Sequence, residues 1–165
     1  MSKTHPKLYR VLFVCLGNIC RSPAAEEVLR VRAAAFSPAL QLEIDSAGTY
    51  SGHRGELPDP RMRRCGQARG YVMTHRARPL QVRDFSEFDY LLVMDDNNYD
   101  TVCRMAPDAE AREKVLRTAD FLTGEYATKS TIPDPYYGDM ADFEYVLDLL
   151  ENATDEFLRR LTTCS

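Results

Sequence analysis

The sequence predicts an α/β fold: one three-layer domain over residues 1–165, with a four-stranded parallel sheet flanked by helices on both faces. Three observations carry this. Apolar runs of strand length alternate along the chain with stretches of helical periodicity, the order that builds a parallel sheet through right-handed crossovers. The first run, residues 8–14, is nearly continuous in apolar side chains, as in a strand buried on both faces. No repeat, low-complexity tract or Gly/Ser linker divides the 165 residues, a length that fills one domain without disulfides.

The elements follow in order. After the strand at 8–14, Ser22-Pro23 opens a helix, because proline suits the first turn and Glu26 and Glu27 suit its positive end. Ala24, Val28, Val31 and Ala35 carry its apolar stripe, and Ser37-Pro38 ends it near Phe36. Residues 40–44 alternate with period two and form a second strand, followed by a glycine-containing loop over 46–58. Asp59-Pro60 starts a helix that Gly70 stops. Residues 90–94 form a third buried strand, and 95–105 a helix capped by Asp95 or Asp96, with Pro107 beyond it. Val115-Leu116 marks a short fourth strand. Over 141–161, Phe143, Val146, Leu147, Leu150, Phe157 and Leu161 recur at helical spacing.

Composition narrows the class. A 44% hydrophobic and 28% charged chain is that of a folded globular protein, and no apolar run reaches membrane-spanning length. The polar start, with Lys3 and Lys7, precedes only a short apolar stretch, so export and membrane insertion are not expected and the cytoplasm is. In that reducing compartment Cys15, Cys20, Cys65, Cys103 and Cys164 read as free thiols. His5, His53 and His75 lack the spacing of a zinc site, and no metal or other cofactor is implied. A net charge of −4 argues against a general nucleic-acid binder. The charge is uneven: Arg54, Arg61, Arg63, Arg64, Arg69, Arg76, Arg78 and Arg83 meet only Glu56 and Asp59. These arginines read as solvated helix faces or as a basic rim that attracts anionic substrates, the former being preferred.

Chemistry is expected at the carboxyl end of the first strand, where open parallel sheets bind ligands. Cys15-Leu-Gly-Asn-Ile-Cys-Arg-Ser22 sits there. A cysteine six positions before an arginine is weak evidence alone; the buried strand before it, Gly17 within it and the helix after it make it specific. A loop turning into a helix N-terminus aims backbone N–H groups inward, where the helix dipole adds positive potential. Gly17 permits positive φ or close approach to an anion. Arg21 can grip two phosphoryl oxygens at once, and the same field favours a thiolate at Cys15. Singly, Cys15 reads as a small buried hydrophobe, Arg21 as a surface residue, Asn18 as a turn former and Ser22 as a helix cap. Jointly they describe an anion cradle with a nucleophile at its base.

Val-Leu-Phe-Val-Cys-Leu-Gly-Asn-Ile-Cys-Arg-Ser-Pro-Ala-Ala-Glu over 11–26 resembles the low-molecular-weight protein tyrosine phosphatases. Asp45-Ser-Ala-Gly-Thr49, Phe88-Asp-Tyr-Leu-Leu-Val-Met-Asp95 and Ile132-Pro-Asp-Pro-Tyr-Tyr-Gly138 match further pieces in the family's order, covering nearly the whole chain. The resemblance implies hydrolysis of phosphotyrosine, in a protein or as a small aryl phosphate, through a cysteinyl-phosphate. Cys15 would attack phosphorus, while Arg21 and the loop residues Leu16, Gly17, Asn18, Ile19 and Cys20 hold the phosphate. Asp134 would protonate the leaving phenolate and then activate water, its plainer reading being an Asp-Pro turn. Tyr136 and Tyr137 would wall the cleft, Ser22 would donate to the thiolate, and His75 and Asp95 would support the site. Cys20 reads either as a partner for a reversible disulfide with Cys15 or as a packed small residue.

The chain departs from the family at Gly52, where many relatives carry an aromatic residue; either Tyr50 reaches over the cleft instead or that wall is open. Three rival readings are weaker. An arsenate reductase needs two more cysteines close in sequence, and Cys65 and Cys103 are far apart. An arginine-phosphate phosphatase carries threonine where this chain has Ile19. A non-catalytic phosphotyrosine binder should lack Cys15, Arg21 or Asp134.

Overall fold

The computed structural model describes residues 7–163, so the polar start with His5 and the thiol of Cys164 lie outside the described residues. Four strands form one all-parallel sheet: β1 (Leu8–Cys15), β2 (Gln41–Gly48), β3 (Tyr90–Val93) and β4 (Val115–Arg117), in the order β2-β1-β3-β4. Six α-helices accompany them: α1 (Arg21–Phe36), α2 (Pro60–Ala68), α3 (Asp84–Glu87), α4 (Asp96–Met105), α5 (Ala109–Glu113) and α6 (Met140–Thr163). The α/β class, the parallel sheet and the helices on both faces are those the sequence predicts.

The alternation of side chains along β1 builds the three layers. Tyr9, Val11, Phe13 and Cys15 point to the face covered by α1 and α6. Leu12 and Val14 point to the other face, against Leu80, Phe85, Val102 and Ala111. β3 divides in the same way, Leu92 to the first layer and Leu91 and Val93 to the second. Val11, Leu12, Phe13 and Val14 are essentially inaccessible, which accounts for the unbroken apolar run.

Order β2-β1-β3 means that the chain leaves β1 to one side and returns on the other, so the carboxyl end of β1 opens at a topological switch point. Cys15 is the last residue of β1 and pairs in register with Gly48, the last of β2.

Several boundaries differ from expectation. β2 continues through Ser46-Ala47-Gly48 instead of yielding to a loop, because these residues stay in parallel register with Phe13, Val14 and Cys15. In α1 the buried face is Ala24, Ala25, Val28, Leu29 and Ala33. Val31 and Ala35, expected in that stripe, face outward where the last turns leave the sheet. Asp59 caps α2 through the Arg61 N–H, Pro60 occupies its first turn, and Gly70 follows its end at φ 90°. Asp95, not Asp96, caps α4, accepting from the Asn98 N–H at 2.8 Å. The short α3 and α5 and two 3-10 turns, Thr118–Phe121 and Gly124–Tyr126, escaped sequence reading.

Candidate active site

The loop between β1 and α1 turns around Asn18, whose φ of 57° is the only left-handed non-glycine conformation among the described residues. Of the two uses expected of Gly17, positive φ or close approach to an anion, the first falls instead to Asn18, one residue later. Asparagine tolerates this region, and its side chain is needed there. Asn18 Nδ2 donates to Ser22 Oγ at 2.7 Å and Ser46 Oγ at 3.0 Å, while its Oδ1 accepts from the Arg78 N–H at 3.0 Å. His75 Nε2 lies 2.8 Å from the same Oδ1, so this nitrogen carries the proton. On the other side of the ring, His75 Nδ1 faces Glu26 at 3.2 Å and Asp45 at 3.4 Å. Ser46 Oγ donates to Glu26 at 2.7 Å, closing the network behind the loop.

Ser22 Oγ links this frame to the sulfur: it lies 3.0 Å from Cys15 Sγ. Because Ser22 accepts from Asn18, its own hydrogen is left for sulfur, at 3.0 Å, or for the Ala47 carbonyl at the longer 3.4 Å. Ser22 therefore sits within the first turn of α1 and is not its cap. Among the described residues, the N–H groups of Gly17, Asn18, Ile19 and Cys20 donate to no backbone carbonyl, so the turn leaves a set of amide donors uncommitted.

Arg21 is buried and fixed from two sides. Both hydrogens of its Nη1 are engaged, one on Asp95 at 2.8 Å and one on the Ile132 carbonyl at 2.9 Å. Nε and Nη2 remain, and Nη2 lies 3.7 Å from Asp134. Burial alone would lower the Arg21 pKa, but its interactions with Cys15 and with the carboxylates of Asp95 and Asp134 outweigh it and raise the value. Asp134 is partly exposed, and its Oδ1 accepts from the Tyr136 N–H at 3.1 Å.

These groups meet in a cleft of about 320 Å³, lined by Cys15, Leu16, Gly17, Ile19, Cys20, Arg21, Tyr50, His53, Asp134, Tyr136 and Tyr137. Tyr136 and Tyr137 pack edge to face at 4.9 Å, with Tyr137 reaching almost entirely into solvent at the rim. Tyr50 fills the space that the departure at Gly52 leaves: a Cβ built on Gly52 would fall 2.1 Å from the Tyr50 hydroxyl. His53, which sequence reasoning left without a role, packs its ring over Gly17 and holds Glu56 at 2.7 Å. A larger open groove of about 750 Å³ lies between α1 and α6, but its arginines Arg32, Arg69 and Arg159 are bound to carboxylates and it contains no cysteine.

The remaining expectations resolve in detail. Cys20 is buried beside Cys15 in the cleft; burial first, then the Asp59 carboxylate, pushes its thiol far up. Glu26, Asp45 and His75 form the one close trio of possible metal ligands among the described residues. Ser46, Arg78 and their own ion pairs already engage those atoms. The arginine-rich stretch is a solvated face only in part: Arg54, Arg64 and Arg83 are exposed, while others are tied into the fold. Arg69 pairs with Glu144, Asp148 and Glu151, Arg78 with Asp45 and Asp84, and Arg63 and Arg76 donate to backbone carbonyls. Ser46, Glu26 and Arg78 join the site through tertiary packing; Ser46 and Glu26 stand inside quoted motifs, whereas no motif marks Arg78.

Residues 10–164 match the model of the low molecular weight phosphotyrosine protein phosphatases. The chain belongs to this family. It is accordingly a hydrolase, a protein-tyrosine-phosphatase. The human low molecular weight phosphotyrosine protein phosphatase is 38% identical over 152 residues, 91% of this chain and 94% of the relative. The low molecular weight protein-tyrosine-phosphatase of Streptomyces coelicolor is 38% identical over 150 residues, 91% of this chain and 92% of the relative. A crystal structure of a protein tyrosine phosphatase from Entamoeba histolytica, with Hepes in the active site, superposes with a TM-score of 0.89. It shares 39% identity, covering 94% of this chain and 97% of the other.

Proposed function

We propose that this phosphatase, acting as one catalytic domain over 1–165 in the cytoplasm, hydrolyses phosphotyrosine in proteins through a cysteinyl-phosphate. One observation carries the reading. A sulfur held 3.0 Å from a serine hydroxyl, a buried arginine fork and a partly exposed carboxyl 3.7 Å from that fork face one cleft.

In the first step the phosphate sits in the turn formed by Leu16, Gly17, Asn18, Ile19 and Cys20, whose amide N–H groups take its equatorial oxygens. With Nη1 held by Asp95 and Ile132, the Nε and Nη2 hydrogens of Arg21 form the bidentate pair that meets two of those oxygens. Cys15 sulfur attacks phosphorus in line, with the Ser22 hydroxyl and the loop dipoles favouring its anionic form. The P–O bond to the phenol breaks, and Asp134 gives its proton to the departing oxygen. In the second step the Asp134 carboxylate takes a proton from water, which attacks phosphorus and releases Cys15 sulfur and inorganic phosphate. Tyr136 and Tyr50 flank the ring of the substrate, and His75 holds the loop through Asn18. Hepes in the active site of the Entamoeba relative, a sulfonic acid, supports reading the cradle as an anion site.

The branched apolar Ile19 in the cradle and the aromatic walls favour an aryl ester over a phosphoguanidine. The test compares Cys15→Ser with Asp134→Ala. Cys15→Ser abolishes turnover of p-nitrophenyl phosphate while circular dichroism stays native. Acid quenching of the Asp134→Ala enzyme in turnover yields phosphate bound to Cys15. A fully active Cys15→Ser protein refutes the proposal, as does faster hydrolysis of phosphoarginine than of phosphotyrosine peptides.

A further inference from the structure

Arg61, the second residue of α2, does not line the cleft but touches the loop that walls one side of it and the Asp59 that holds the other. Its Nη2 donates to the Tyr136 carbonyl at 2.8 Å and its Nη1 to the Gly138 carbonyl at 3.4 Å, two consecutive anchors on the loop that carries Asp134. The same guanidinium bonds Asp59 through Nε at 3.1 Å and Nη2 at 2.9 Å and lies 4.5 Å over the Phe143 ring at the start of α6. Burial alone would raise the Asp59 carboxyl, but the Arg61 hydrogen bonds and charge and the α2 backbone amides take it below its ordinary value, so it is an anion firmly paired.

Asp59 in turn holds the cysteine loop. Its N–H donates to the Ile19 carbonyl at 2.7 Å. In a planar trans peptide the C=O and N–H point in opposite directions, so drawing the Ile19 carbonyl toward Asp59 aims the Cys20 N–H the other way, into the cradle. A continuous chain of contacts thus runs from the Asp134 carboxyl through the Tyr136 peptide, Arg61 and Asp59 to Ile19. Before Asp134 the loop is anchored by buried Ile132, whose N–H donates to the Met94 carbonyl at 2.8 Å; beyond Asp134, where Arg61 holds it, Tyr137 is almost wholly exposed.

We infer that Arg61 is a positioning residue that sets the distance and angle of the Asp134 carboxyl relative to the Cys15 loop. This rests on the reading of Asp134 as the proton donor. The two ties in the chain differ in kind: the Asp59–Ile19 bond is backbone and survives changes at residue 61, whereas the hold on the acid loop is the guanidinium fork. Loss of the fork therefore frees the proton donor and leaves the anion cradle in place.

The experiment compares Arg61→Met, Arg61→Lys, Asp134→Ala and the double variant Arg61→Met/Asp134→Ala. For each, kcat/KM is measured on a phosphotyrosine peptide and on p-nitrophenyl phosphate, with inhibition by inorganic phosphate alongside. Arg61→Met is expected to lower kcat/KM on the peptide by about 10- to 100-fold, the scale of a misplaced reacting group. It lowers that for the better leaving group several-fold less, and phosphate inhibition shifts by less than about threefold. Arg61→Lys keeps the charge but not the fork and shows the same pattern in weaker form. In the Asp134→Ala background the substitution adds nothing to the loss, because both act through one group. Should Arg61→Met fail to fold, Arg61→Lys carries the comparison. The inference is overturned if losses are equal on both substrates, if they add to those of Asp134→Ala, or if Arg61→Lys restores full activity, which would assign the effect to charge. An Asp134→Ala enzyme with no leaving-group dependence overturns the underlying reading of Asp134 itself.

Discussion

Replacing Gly48 with alanine tests how closely the end of β2 supports the cysteine loop. The φ of Gly48 lies outside the left-handed region, so the substitution is not resisted by backbone conformation. It is resisted by space. A Cβ there would stand 2.7 Å from the Leu16 carbonyl oxygen and 3.1 Å from the nitrogen and Cβ of Asn18, all but the last being backbone atoms. Ordinary contact starts at 3.4 Å, so the loop and the strand must part by about 0.7 Å, the difference from 2.7 Å. Neither side yields freely. Gly48 is bonded on both sides to the passing segment, by its N–H to Arg78 and its carbonyl to Leu80, while the Leu16 carbonyl is held by the Tyr50 N–H at 2.8 Å. Strain of this kind in a packed site costs about 1–3 kcal/mol, or roughly 3–10 °C in the unfolding midpoint of a domain of this size. Displacing Leu16 and Asn18 by more than half an ångström also moves the amide donors beside Cys15, which lowers kcat/KM by about 10- to 100-fold. The assay is steady-state hydrolysis of p-nitrophenyl phosphate with phosphate inhibition and thermal unfolding on the same preparation. A Gly48→Ala protein with wild-type kcat/KM and midpoint would refute the argument.

Other outcomes follow from single contacts. Asn18→Ala removes the bridge between Ser22, Ser46, His75 and the Arg78 N–H and leaves buried groups unpaired; unfolding by urea should show a loss of about 2–4 kcal/mol. Tyr50→Ala opens one wall of the cleft and should raise KM for phosphotyrosine peptides by roughly 2- to 10-fold with kcat little changed, the worth of one aromatic contact. Iodoacetamide at pH 8, mapped by mass spectrometry, should modify Cys15 first. Cys65, whose thiol is pushed up to about 11 by burial and by Glu144, stays protonated there and should react only in more alkaline solution. Glu156 is held down to about 2 by Arg159 and Arg160, so its stabilisation is complete above its ordinary 4.5 and is lost as pH falls from 4.5 toward 2. Because both arginines are about half exposed, Glu156→Gln should cost only about 0.5 kcal/mol at pH 7 and nothing at pH 2, measured by urea unfolding at the two values.

What could be read from the chain in advance was whatever repeats with a period or lies within a short span. β1 shows as an apolar run because both of its faces are covered, and α6 because its buried residues recur every three to four positions. The pairing of Cys15 with Arg21 and Ser22 is legible because one loop contains all three. Contacts that close over long separations are not: Asn18 meets Ser46, His75 and Arg78 across 28, 57 and 60 residues, and Arg61 meets Tyr136 across 75. Nothing in the local pattern of Arg61 separates it from Arg63 or Arg64. The end of β2 misled for a related reason. Ser46 looks like the beginning of a loop, yet it is fully buried because its hydroxyl has partners on both sides. The four- and five-residue helices α3 and α5 are too short for any period to register.

The guanidinium of Arg21 is steered into place by Asp95 and by the Ile132 carbonyl, 74 and 111 positions further along the chain. A ribosome that has released only β1, α1 and β2 has therefore made the thiol of Cys15 and the guanidinium of Arg21, but not the partners that hold that guanidinium in place. Reactivity arrives with the closing stretch of the polypeptide, and hydrolysis of a chromogenic ester becomes a readout of whether the entire molecule has folded, not of one loop.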